Sequence, residues 1–169
     1  MKRTLNILHY SLYLIEIKLH HLFNKINPGL LIYKIPRVKK WMKDKNGIEN
    51  TKEWLDNFWL DKKDGYSLLN IVGWLTGIIF LLLISSTIFL GKLFYLKIIF
   101  NNYTWICIPL LGISWAICYF HVFKNDKYLI YFEEFEKWTI LDKRKNVLLS
   151  IGFILFVIVF FFVSLLYFP

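Results

Sequence analysis

Residues 141–169 read LDKRKNVLLSIGFILFVIVFFFVSLLYFP: three adjacent cations, Lys143, Arg144 and Lys145, then no charge from 146 to 169. An uncharged apolar run longer than about 18 residues is a membrane-span candidate, because about 20 residues at ~1.5 Å each cross the hydrocarbon core. A helix is the conformation that pairs its own backbone groups where no water can. Two other stretches lack charge, residues 66–91 and, apart from the titratable His121, residues 102–123. The pattern predicts spans over 68–90, 103–123 and 147–168. Hydrophobic residues make up 57% of the 169, against roughly 45–50% in soluble domains.

The cations set the orientation. Thirteen Lys and Arg precede the first span, two fall in 91–102, six in 124–145 and none after. That alternation places the N-terminal region and residues 124–145 on the cytoplasmic side, with 91–102 and the C-terminus outside. Lys143, Arg144 and Lys145 then hold the start of the last helix at the anionic inner face. The net charge of +9 therefore needs no nucleic acid as partner; the cations flank spans and do not gather on a reading module. The expected surroundings are the lipid bilayer and anionic lipid head groups.

Ahead of the first span, Leu5, Leu8, Leu12, Ile15, Leu19 and Leu22 recur at helical spacing, with His9, Glu16 and His20 on another side. This predicts an amphipathic helix over 4–23 that lies in the interface or packs on a partner helix; a fourth, weakly apolar span is the alternative. Asn27-Pro28-Gly29 is a break. Residues 33–47, YKIPRVKKWMKDKNG, read as a basic surface segment without regular periodicity. Asn50 with Glu53 marks a helix start, and Trp54, Leu55, Phe58 and Trp59 form one face of the short helix that follows. Trp54, Trp59 and Trp138 are candidate interface anchors, with Lys143, Arg144 and Lys145. In 124–145, Tyr128, Tyr131, Phe135 and Trp138 share a helical face, with Glu133, Glu134 and Glu136 elsewhere around the helix.

Gly73 and Gly77, and Gly112 and Ala116, stand four residues apart in the first two spans, the spacing that lets membrane helices approach closely. Pro109 is expected to kink the second span. Cys107 and Cys118 lie on one helix about 16 Å apart, too far for a disulfide. Cys118 and His121 are one turn apart, but only His9, His20 and His21 are on hand to complete a metal set. No catalytic motif is present, and no span holds an Asp, Glu, Lys or Arg to carry ions. No cofactor, metal or catalytic residue is expected.

The aromatic–acidic YFEEFEKW at 131–138, the KRK at 143–145 and the closing apolar helix resemble small multi-pass inner-membrane proteins of Bacteroidetes type. The resemblance covers the last third of the chain and implies an inner-membrane location, with no activity attached. The expected fold class is an all-α membrane protein: three transmembrane helices plus N-terminal and cytoplasmic amphipathic helices. Residues 1–65 would form a basic interfacial region and 66–169 the membrane domain. The expected role is a non-enzymatic accessory or interaction subunit, partnered by another membrane protein or by itself. The alternative is a pore-forming protein of holin or toxin type, or the immunity protein opposing one.

Overall fold

The computed structural model describes residues 2–94 and 103–166, and every regular element among them is helical. The helices are α1 (Lys2–Ile26), α2 (Pro28–Ile32), α3 (Pro36–Asn46), α4 (Thr51–Leu60), α5 (Tyr66–Leu93), α6 (Tyr103–Cys118), α7 (Lys127–Glu136) and α8 (Ile140–Leu166). A π-helical turn, Tyr119–Phe123, and a 3-10 turn, Lys124–Asp126, join α6 to α7. Most of the expected loop 91–102 and the end of the third span at 167–168 lie outside the described residues.

Three helical runs are long and apolar enough to cross a membrane: Tyr66–Leu93, Thr104–Glu136 and Ile140–Leu166. The second is not one rod. Asn125 and Asp126 both sit in the left-handed region, at φ 59° and 52°, so the continuous apolar part of this candidate span is α6 with its π turn. Asn and Asp are the non-glycine residues that tolerate this conformation best. At ~1.5 Å per residue, α5 and α8 are about 40 Å long, longer than the ~30 Å hydrocarbon core, so a bilayer would hold helices of this length tilted or projecting beyond it.

The chain forms two compact units: Met1–Leu12 with Ile71–Pro169, and Tyr13–Asn70. The first twelve residues belong with the apolar helices because Asn6, His9 and Tyr10 pack on the α6–α7 junction and on α7.

Local signals explain several helix ends. Asn50 Oδ1 accepts the Glu53 N–H at 3.3 Å, and α4 starts at the next residue. Thr139 caps α8: its hydroxyl accepts the Asp142 N–H at 3.2 Å and donates to Asp142 Oδ2 at 2.6 Å. The last helix thus begins at Ile140, seven residues before the expected 147, and Lys143, Arg144 and Lys145 lie in its first two turns. The basic segment is also a correction. It is helix α3, opened by Pro36 at a position that needs no N–H and closed by Gly47 at φ 66°, the usual bracketing of a helix by proline and glycine.

Candidate functional site

Two places hold the polar and charged groups of interest, one in each unit. In the unit of the apolar helices it is the elbow between α6 and α7. The elbow exists because a π turn and two left-handed residues interrupt the helix. Where regular bonding stops, the Asn6 side-chain amide donates to the His121 carbonyl at 3.2 Å and to the Lys2 carbonyl at 2.9 Å. His9 fills the concave side. Its ring meets Phe123 at 5.2 Å and Tyr128 at 5.3 Å, both edge-on, and Phe132 at 5.1 Å. Tyr10 continues the cluster with Phe132, Phe135 and Trp138. Arg3 and Glu134 pair at 2.7 Å on the surface, a contact of small energetic value there.

His9 has no solvent exposure, and neither ring nitrogen has a hydrogen-bond partner. Burial pushes the imidazole down to about 3, so the ring is neutral at physiological pH. Along α1 the structure buries Asn6, His9, Tyr10 and Tyr13 along with Leu5 and Leu8, and leaves Leu19 and Leu22 of the leucine stripe exposed; the burial of His9, expected on the polar side, is the departure. On α7 the buried stripe is Tyr128, Phe132 and Phe135. Phe132 replaces Tyr131 in the expected set, and Trp138 lies past the helix end, its ring 4.2 Å from Phe135.

The expected packing glycines have open space around them. A Cβ added at Gly73, Gly77 or Gly112 meets nothing within 4 Å, and Ala116 is partly exposed. In the most apolar 18-residue window of each stretch, 39%, 17% and 17% of the residues are buried inside the chain. The remaining residues of those windows keep surface that lipid or other helices can cover. Where α5 and α8 do meet, Phe89 faces Phe160 at 6.0 Å. There the Lys92 ammonium donates to the Ser164 carbonyl and, at 3.0 Å, to that of Leu165. A cation placed on the last carbonyls of a helix satisfies acceptors that have no helical donor and opposes the negative end of its dipole.

In the 13–70 unit, His20 Nε2 lies 2.8 Å from Asp56 Oδ1, Asn24 donates to the same oxygen at 3.1 Å, and Trp59 stacks on the imidazole at 5.5 Å. This ties α1 to α4. Asp61 closes the following turn by accepting the N–H groups of Asp64 and Lys63, which hold its carboxyl below the usual range. Trp59 is half-buried in this arrangement. Trp54 is exposed and stacks on Phe58 at 5.8 Å. Arg144 and Lys145 are exposed, whereas Lys143 donates to the Glu136 carbonyl at 2.8 Å and caps α7.

Beside this knot opens a groove of about 1060 Å³, bordered by Lys25, Lys34, Lys39 and Lys52 with Glu49 as its one carboxylate. Nothing in residue order alone brings those four lysines together; they come from α1, the turn after α2, α3 and the first turn of α4. Among the described residues, no three His, Cys, Asp or Glu side chains are arranged to hold a metal ion. No family model, curated protein or solved structure matches the chain.

Proposed function

We propose that this chain is a non-enzymatic inner-membrane protein whose role is association: its spans pack with other helices in the bilayer, and its basic 13–70 unit rests on the anionic inner leaflet. The observation that carries the first limb is the small share of residues buried within the chain in the most apolar 18-residue window of two of the three stretches, 17% each, together with the open glycine faces at Gly73, Gly77 and Gly112. Lipid covers apolar surface as well as a helix does, but small residues with room above them are what lets two membrane helices come close. The second limb is supported by exposed apolar side chains interleaved with cations. Leu31, Ile32, Ile35 and Trp41 are each about half exposed or more, and Lys34, Arg37, Lys39 and Lys40 stand among them. That combination suits a headgroup region, where apolar side chains enter the acyl boundary and cations stay at the phosphates.

Crosslinking in native membranes, followed by measuring the mass of the detergent-extracted complex, tests the association. A defined assembly larger than the 20.4 kDa chain is expected, and a species that remains monomeric under every crosslinker contradicts it. A homo-oligomer that conducts ions across a planar bilayer would replace the accessory reading with the pore-forming one.

A further inference from the structure

The groove in the 13–70 unit poses an electrostatic problem. Lys25, Lys34, Lys39 and Lys52 arrive from four segments around one cavity, and Glu49 is the single acid among the residues bordering it. Four ammonium groups less one carboxylate leave a formal +3. The Glu49 carboxylate is moreover engaged at 2.9 Å by Lys43, which does not border the cavity. Like charges converging on one space repel, and a counter-anion inside it removes that cost. The first turn of α4 also borders the groove through Asn50, Thr51 and Lys52, and the positive end of a helix adds in the same sense.

Two features say what kind of anion fits. The volume, about 1060 Å³, is far more than a bare ion fills and lies just above the range of ordinary small-ligand sites, about 300–1,000 Å³. The border also carries apolar side chains, Ile26 and Leu31, which are 74% and 62% exposed. A soluble phosphate has no use for them, whereas a phosphate joined to acyl chains covers them.

We infer that the groove is a discrete seat for the phosphate-bearing headgroup of an anionic lipid, with Lys25, Lys34, Lys39 and Lys52 as its counter-charges. This rests on the reading of the 13–70 unit as a basic unit resting on the inner leaflet and adds a saturable site to what would otherwise be diffuse attraction.

The test is native mass spectrometry of the full chain in a neutral detergent, titrated separately with phosphatidylglycerol, phosphatidylcholine and inorganic pyrophosphate. One phosphatidylglycerol is expected to bind per chain at concentrations where phosphatidylcholine does not. A lysine near an anionic lipid surface contributes about fivefold to affinity. Lys34→Gln with Lys39→Gln should therefore weaken that binding by about 25-fold. Arg37→Gln with Lys40→Gln, which removes equal charge outside the groove, should change it less than threefold. Circular dichroism and thermal melts of both pairs confirm that these surface substitutions leave the fold intact. If the Arg37/Lys40 pair weakens binding as much as the groove pair, the groove is not a site, while the reading of the 13–70 unit as resting on the inner leaflet stands. If the unaltered chain does not prefer phosphatidylglycerol over phosphatidylcholine, both fall. If pyrophosphate binds as tightly as the lipid and displaces it, the ligand is a soluble phosphate and the lipid assignment is overturned.

Discussion

His9 gives the sharpest link between packing and a measurable quantity. It lies in α1, outside the three candidate spans, with no exposed surface and no partner for either nitrogen. Replacing it with leucine removes two orphaned polar atoms, worth about 1–3 kcal/mol of relief, and forfeits ring contacts worth about 0.5–1.5 kcal/mol each. At neutral pH these nearly cancel, so stability there decides nothing. The pH dependence decides. The folded imidazole titrates at about 3 and the unfolded one at the ordinary 6.5. Between those values the unfolded chain binds the extra proton, so the contribution of neutral His9 is complete above pH 6.5 and is lost as pH falls toward 3. At 1.36 kcal/mol per pH unit, moving from pH 7.5 to 5.0 costs the unaltered protein about 2 kcal/mol that His9→Leu does not lose. For a chain of this size that is a difference of about 4–8 °C in Tm. Thermal unfolding in a neutral detergent at the two pH values, followed by tryptophan fluorescence, measures it. Equal losses in the two proteins would show that the ring is solvated in the folded state and that the elbow is open.

Gly65→Ala should destabilise the 13–70 unit by at least 1–3 kcal/mol, because the new Cβ would stand 2.3 Å from the Asp61 carbonyl oxygen and 2.9 Å from that of Trp59; an unchanged melt would mean that turn is built differently. Gly77→Ala, by contrast, meets nothing and should raise helix stability by about 0.5–1 kcal/mol. If the same change abolishes crosslinked assemblies, the glycine face is where another helix sits. Lys92→Leu removes two charge-assisted bonds to the end of α8, about 1.5–3 kcal/mol each. Hydrogen exchange of the last turn of α8 should then speed by tenfold or more, with the α7 amides unaffected.

Much of the architecture was legible because a membrane imposes a coarse rule. Charge is absent from 66–91 and 146–169, and α5 and α8 run through those stretches. The Asn50 cap was legible because its partner is three residues away. The bracketing of α3 by Pro36 and Gly47, and the Thr139 cap with Asp142, carried equally local signals; the density of lysines and the apolar run beyond them drew the boundaries elsewhere. The elbow was not legible. Burying Asn6 and His9 in preference to Leu19 and Leu22 depends on a carbonyl freed at His121 and on rings more than a hundred residues away. A periodicity that scores each residue by type alone assigns polar ones outward. The groove lysines were visible only as net charge, since their convergence depends on how α1 to α4 fold on each other.

Labelling of single cysteines by a membrane-impermeant maleimide in intact cells tests the three-span arrangement most directly. In a chain with Cys107 and Cys118 replaced by alanine, a cysteine at Leu93 should react from outside, while one at Lys40 or Lys145 should react only after the cells are opened. Labelling of Lys40→Cys or Lys145→Cys in sealed cells, with Leu93→Cys protected, would contradict the orientation of the spans and the placing of the basic unit on the inner leaflet.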